Sequence, residues 1–488
     1  MRWKTGGCIN SEAPEGRFAL PWRSMSPTRP GRPPGPPSNG ALDQLRYAYG
    51  FLTDPIAFVR GRFERYGDIY FVPSRTGADA GLYVLRHPDH IREVLVTRAS
   101  SFTKQHSALR QIAQFLGDGL FNSDGEVWRR QRRMLQPAFA PARLAAYAAV
   151  MTEEAALLTA QWQDGQQLEL GKAMMALTLR VVSRTLFGHD PTADIETVAI
   201  AMSAFQESLG VASEILPRWL PTPQRRRLRD GIAAMDRMMY GIIDRRREAS
   251  VRDPAGEAER SRDLLHMLVT AVDDEGDHQG MTKQEVRDQL VTLFLAGHDT
   301  TSHMLTWTFA LLAQHPEVEA RLAAELSEVL TSDGSARAAT HDDLPRLKYT
   351  EQVLAESMRL YPPAYSVARR ASEDTEIGGY AVPRGAEVIM WIYMTQHDPR
   401  WFPEPEAFHP ERFAAGAEAQ LPRTAYLPFG AGPRVCIGKS FAMMEAKILL
   451  ATIARKFRFE RSPRHKLQMK ARINLMPRYG LAGVLRQR

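Results

Sequence analysis

Cysteine is almost absent. The 488 residues hold two, Cys8 and Cys436, which excludes a disulfide scaffold, a multi-cysteine zinc site and a cysteine-held iron–sulfur cluster. Whatever Cys436 does, it does as a single sulfur, and a reducing compartment is expected. Long apolar runs are missing as well. No stretch approaches the ~20 residues that a membrane span needs, and Glu12, Pro14, Glu15, Arg17, Pro21 and Arg23 interrupt any secretory leader. There is no internal repeat. Charge of one sign is not in large excess: 63 Lys and Arg against 56 Asp and Glu leave +7. That total allows a basic face for an acidic partner without demanding nucleic acid. The expectation is a soluble, cytoplasmic protein.

What is present suffices for a sizeable core, with 44% hydrophobic and 24% charged residues. Eight of the eleven residues at 27–37 are Pro or Gly, which neither helix nor sheet accommodates. Residues 1–40 therefore read as a disordered, Pro-rich lead-in, stiff and extended at its proline run, with Met25 an alternative first residue, and 41–488 as one body. Short strands are expected at 67–72 and 81–85 and again within 375–395, where β-branched and aromatic residues lie between Gly and Pro turns. Helical patterning dominates from about 88 to 330. The fold class is mainly α with a small β portion.

Two helices carry chemistry-bearing residues. One opens at Thr282, whose hydroxyl and Glu285 form a capping box, and runs to His315-Pro316. Its middle, Ala296-Gly297-His298-Asp299-Thr300-Thr301-Ser302, sets a glycine, an acid and three hydroxyls into an apolar stretch. Glycine there costs ~1 kcal/mol against alanine, and such a local violation is where function is expected, a kinked core helix being the bland reading. The second runs from about 347 to 360, with Glu356 and Arg359 one turn apart on one face.

The strongest signal is Phe429-Gly430-Ala431-Gly432-Pro433-Arg434-Val435-Cys436-Ile437-Gly438. Glycines and a proline shape a tight loop that turns backbone N–H groups toward the sulfur. A following amphipathic helix sets its N-terminus beside Cys436, which favours the thiolate, and Arg434 is expected to add positive charge. A charge-compensated thiolate on a rigid loop suits a soft metal centre.

This loop resembles the F-G-x-G-x-R-x-C-x-G haem-binding signature of the cytochrome P-450 monooxygenases at every fixed position. Ala296-Gly297-His298-Asp299-Thr300-Thr301 is similar to that family's oxygen-activation motif, Glu356-Ser357-Met358-Arg359 to its E-x-x-R, and Pro410-Glu411-Arg412-Phe413 to its P-E-R-F. Trp128 and Arg132 fit its W-x-x-x-R. The motifs follow in family order, and the likeness covers the chain from about residue 40 onward.

The resemblance implies a triangular helical body with a long central helix over a haem b. Cys436 would be the axial thiolate and Phe429 would pack beside it. Arg132, Arg434 and Arg369 would pair with the haem propionates, with Trp128 as a further donor. Asp299 and Thr300 would be the acid–alcohol pair that carries protons to dioxygen, while Ala296 and Gly297 leave room for oxygen and substrate. His298 is expected to make a local bond on the helix's other face. Glu356, Arg359 and Arg412 would serve folding. The length leaves no room for a fused reductase, so electrons are expected from a separate ferredoxin or flavodoxin with its NAD(P)H-dependent reductase. That donor would be steered to the basic run Trp128-Arg129-Arg130-Gln131-Arg132-Arg133 and Lys439. Arg225-Arg226-Arg227 and Arg245-Arg246-Arg247 read as solvated faces, and the apolar loop at 216–221 as a candidate lipid contact.

By the same resemblance Phe102, Phe115, Leu116, Phe121, Phe205, Leu209, Phe294, Ala364, Tyr365, Val367 and Met476 would line the pocket. The substrate would then be lipophilic, a fatty acid, terpenoid or steroid-like compound, with the branch of fatty-acid and terpenoid hydroxylases nearest in motif. The alternatives are a haem-thiolate peroxygenase or isomerase, which the intact acid–alcohol pair disfavours, and a non-catalytic haem-binding sensor.

Overall fold

The computed structural model describes residues 31–36, 49–51, 53–73, 80–188, 201, 204–205, 222–252, 263–270, 272–273, 279–332 and 334–488. Cys8, Met25, Leu209 and the loop at 216–221 lie outside the described residues, as do parts of the lead-in. Within that lead-in, 31–36 run extended along the body, with Phe71 N–H donating to Pro34 O and Ala381 N–H to Gly31 O, both at 2.9 Å.

Helices build most of the molecule. Those that position the site are α1 (Gly125–Leu135), α2 (Pro141–Ala160), α3 (Leu170–Phe187), α4 (Pro223–Arg252), α5 (Lys283–Leu312), α6 (Lys348–Leu360) and α7 (Lys439–Lys456). Strands β1 (Ile69–Val72), β2 (Leu82–Leu85), β3 (Phe102–Thr103), β5 (Val367–Ala371) and β6 (Glu387–Met390) form one sheet in the order β1-β2-β6-β5-β3. Within it only β2 and β6 run parallel. Strand β4 (Gln167–Glu169) joins β7 (Phe457–Arg461) and β10 (Ala482–Gln487) in an antiparallel sheet ordered β7-β10-β4, and β8 (Met469–Ala471) pairs with β9 (Leu475–Pro477) in a hairpin. The strands expected at 67–72 and 81–85 are β1 and β2. Strand β5 and the C-terminal sheet were not anticipated, because Val367-Ala-Arg-Arg-Ala lacks strand alternation and finds its register only through β6 and β3.

Helix α5 is the axis. Thr282 caps it as expected: Glu285 N–H donates to Thr282 Oγ1 at 3.2 Å, and Thr282 N–H to Glu285 Oε2 at 2.8 Å. Thirty residues at ~1.5 Å each span about 45 Å. Leu290, Val291, Leu293, Phe294 and Leu295 pack into one apolar cluster with α2, α3 and α7. Met304, Leu305, Trp307 and Phe309 pack into a second, with α6 and the far half of α7. The residues between, 296–303, belong to neither cluster. The polar motif therefore sits where two cores meet.

Helix α6 supplies a buried ion pair. Arg359 Nε and Nη2 donate to Glu356 Oε2 and Oε1 at 2.7 and 2.8 Å. Its remaining donors reach the carbonyls of Gln396, Pro405 and Ala407 at 2.7–3.0 Å. Glu356 also accepts from His409 N–H and, at 3.3 Å, from Arg412 Nε. Both Glu356 and Arg359 are wholly buried, so all three expected residues meet in a fully bonded network. Gln396 then links it to the segment ahead of the cysteine loop by accepting from Leu427 N–H at 3.0 Å. Replacing Arg359 by Ala leaves the buried Glu356 carboxylate with only His409 N–H and the longer contact to Arg412, and a loss of about 3–5 kcal/mol is expected. Urea unfolding of R359A should show a much lower midpoint; an unchanged midpoint would contradict the structural role.

Candidate functional site

The loop at 429–438 is shaped by one close approach. Gly432, at φ +70°, presses so near the Leu95 carbonyl that a Cβ would lie 1.8 Å from that oxygen, so glycine is required there. Cys436 N–H closes the loop on Phe429 O at 3.0 Å. Cys436 is a free thiol that keeps exposed surface. Protein atoms nevertheless crowd its sulfur, and this desolvation pushes the thiol up, against the Gly438 N–H and the charges of Arg132 and Lys439 that favour the thiolate. Arg434 is not among those charges. Its guanidinium is ion-paired with Asp124, donates to Ser123 O at 2.8 Å and lies 4.1 Å from the Trp128 ring centroid. Arg132 takes the place expected of Arg434, its Nη1 donating to Val435 O at 3.1 Å beside the sulfur.

A second feature is a knot of cations. Lys104, Arg369 and Arg434 lie close enough to repel one another, and Asp124 is the carboxylate among them. Desolvation and this repulsion push Lys104 well below its usual value and Arg369 down to about 10. Arg369 is 7% exposed, and its Nη1 donates to the neighbouring Ala368 carbonyl. Arg132 repels Arg434 in turn, so the cluster holds more positive than negative charge. Lys104 was missed from the sequence; a lone lysine between Thr103 and Gln105 carries no pattern, and only the fold brings it to Arg369.

These residues fit a haem. One soft sulfur on a rigid loop suits the iron, and the carboxylates of a haem would supply negative charge to the cation cluster. Among the described residues no group of three or more His, Cys, Asp or Glu is placed to hold a bare metal ion.

On α5, Ala296 is exposed within an otherwise buried run and Thr300 is partly exposed. The Thr300 hydroxyl donates to Ala296 O at 2.6 Å. Gly297 departs from the expected role of making room for oxygen: a Cβ there would stand 2.9 Å from Val182 Cγ2, so this glycine lets α3 and α5 approach. His298 behaves as expected, with Nδ1 2.6 Å from Phe294 O and its ring buried. Asp299 is buried and points away from Thr300. Asn474 Nδ2 donates to its Oδ2, and His303 Nε2 stands 3.3 Å from its Oδ1. Burial alone would raise the Asp299 carboxyl, but His303, with His298 and Asn474, outweighs it and holds the group below its usual range.

The residues expected to line the pocket divide by exposure. Phe115 stacks on Phe205 and Phe187 on Phe294, all inside the core; Tyr365 is buried with its hydroxyl on Arg472 O. Ala364, Val367 and Met476 keep partial exposure. The basic run is also less free than it reads. Arg129 pairs with Glu126, Arg130 with Glu285 and Arg133 with Asp273. Lys439 remains exposed.

The chain matches the family model described as cytochrome P-450 over residues 30–479. It is 35% identical over 442 residues to cyclooctatin synthase of Streptomyces melanosporofaciens, covering 89% of this chain and 92% of that protein. It is 34% identical to cyclooctat-9-en-7-ol 5-monooxygenase of the same organism, covering 90% and 95%. Pentalenene oxygenase of Streptomyces avermitilis is 32% identical, covering 87% and 91%. Among solved structures, the cytochrome P450DA heme domain superposes with a TM-score of 0.79 at 28% identity, covering 93% of this chain and 97% of that one.

Charge-assisted bonds contribute about 1.5–3 kcal/mol each. Replacing Lys104 by Met should therefore speed haem transfer to an excess of an apo-globin acceptor by roughly 10–100-fold. A transfer rate equal to wild type would show that Lys104 does not hold the cofactor.

Proposed function

The chain belongs to the cytochrome P-450 family and is a monooxygenase, and on that premise we propose that Cys436 holds a haem b and that the substrate is a lipophilic small molecule. The haem supplies dioxygen activation and the transfer of one oxygen atom when bound. The observation that carries the assignment is one sulfur held on a rigid loop near a cluster of cations that Asp124 alone does not neutralise.

The chain's own residues then divide the work. Lys104, Arg369 and Arg434, with Trp128 stacked on the last, receive the propionates. Arg132 steadies the loop through Val435 O and favours the thiolate, and Phe429 anchors the loop's opening at the Cys436 N–H. Thr300 presents a hydroxyl at the accessible spot on α5, its own proton parked on Ala296 O and its lone pairs left to accept. Asp299 is the acid behind it. With Asp299 pinned by Asn474, the two do not bond directly, and transfer between them needs a side-chain rotation or a water.

A terpenoid-type substrate is the favoured class. Ala364, Val367 and Met476 offer apolar surface, and two of the relatives are named for a cyclic alkenol and an alkene. Monooxygenases of this family draw electrons from a redox partner. Here that partner is read as a ferredoxin or flavodoxin with its NAD(P)H-dependent reductase, docking near Lys439. Among the described residues no helix is long and apolar enough to cross a membrane, which is consistent with a cytoplasmic site of action.

Thr300→Ala should keep the haem and its spectrum while raising peroxide release. With a cyclic alkene that shifts the haem spin state, product per electron pair should fall at least about tenfold. Unchanged coupling in T300A would remove Thr300 from the relay.

A further inference from the structure

Asp299 has one oxygen pinned and one unclaimed. Oδ2 accepts from Asn474, on the turn between β8 and β9. Oδ1 stands 3.3 Å from Nε2 of His303, one helical turn on. The two atoms are close but not aligned as a hydrogen bond, and neither has another partner although both are buried. Asp299 is 4% exposed and His303 8%. A buried carboxylate oxygen facing an unsatisfied imidazole nitrogen is placed to exchange a proton with it after a small rotation.

Among the described residues no other side chain is bonded to that oxygen, and the buried Glu445 of α7 faces Thr301 instead. From its own helix comes His298, whose Nδ1 is committed to Phe294 O. From the β8–β9 turn comes neutral Asn474, while Arg472 is exposed and its carbonyl accepts from the Tyr365 hydroxyl. Helix α3 contributes the Thr178 hydroxyl on His298 O and Met175 beside Ser302, neither of which titrates. The residues that hold Asp299 below the usual carboxylate range are thus His303 first, then His298 and Asn474.

We infer that His303 loads Asp299 with the proton that the Asp299–Thr300 pair delivers, an inference resting on the role proposed above for that pair. Protonated His303 gives its Nε2 proton to Asp299 Oδ1, leaving a neutral imidazole and a neutral carboxylic acid. The acid passes the proton toward Thr300 and returns to carboxylate, and the imidazole regains a proton from water at the 11% of its side chain that stays accessible. His303 touches no reacting atom. It is a positioning residue that acts through Asp299.

The test uses the haem-loaded full chain as wild type, H303Q, H303N, D299N and the D299N/H303Q double variant, driven by a bacterial ferredoxin and its reductase. NADPH-driven dioxygen consumption, with peroxide quantified, is followed against pH. The protonated-carboxyl infrared band of the ferric holoprotein is titrated in parallel, with D299N assigning the Asp299 component. H303Q and H303N should retain haem, turn over at least about tenfold more slowly and lose an ionisation that shapes the wild-type profile. The Asp299 band should appear at higher pH in both, and the double variant should be no slower than D299N. H303Q with the wild-type rate, profile and band, alongside a slowed D299N, would overturn this inference and leave the acid–alcohol pair standing. D299N at the wild-type rate would overturn the pair and the inference together. Loss of haem from both His303 variants would mark the residue as structural and overturn it as well.

Discussion

As the proposed haem ligand, Cys436 would have to be a thiolate in surroundings that disfavour one. Crowding by protein atoms raises the thiol, and the Gly438 N–H with the charges of Arg132 and Lys439 does not fully reverse that. A bound iron atom would complete the compensation. The sulfur can wait in this state only because the loop around it cannot collapse. Gly432 is wedged on the Leu95 carbonyl, Cys436 N–H is tied to Phe429 O, and α7 starts three residues later. Behind the loop, the buried Glu356–Arg359 pair fixes the carbonyls at 396, 405 and 407, and Gln396 carries that rigidity to Leu427. Fold stability and sulfur chemistry are therefore one problem here.

The same economy holds on the cofactor's acidic edge. A protein that gathered the buried Arg369 and the half-buried Lys104 and Arg434 around Asp124 for stability alone would lose by it, because like charges repel and each is desolvated. The cluster makes sense as half of a binding site. Helix α5 shows a parallel arrangement: its two ends are fastened into separate cores, and the polar motif occupies the seam, where Gly297 admits α3 and Thr300 keeps partial exposure.

Much of this was legible in the sequence, for local reasons. Gly430, Gly432, Pro433 and Cys436 act through the backbone of one loop, and Thr282 with Glu285 caps α5 from within four residues. The Glu356–Arg359 pair is a single helical turn. What was not legible is set by contacts between distant segments. The Arg434–Asp124 pair spans 310 positions, and it moves Arg434 away from the sulfur where its place in the motif had put it. Lys104, His303 and Asn474 belong to no pattern and acquire meaning only when β3, α5 and the C-terminal hairpin converge. Phe115, Phe205 and Phe294 were assigned to the pocket by resemblance alone, and their burial in one apolar cluster with α2, α3 and α7 is set by contacts between distant segments.

The central claim is that Cys436 ligates haem iron as a thiolate. The absorption spectrum of the purified, reduced protein with and without carbon monoxide tests it directly. A strongly red-shifted Soret band in wild type, absent from Cys436→Ser, is the predicted result. An unshifted band on folded, haem-loaded wild-type protein would mean that the sulfur is protonated or is not the ligand, and would contradict the account.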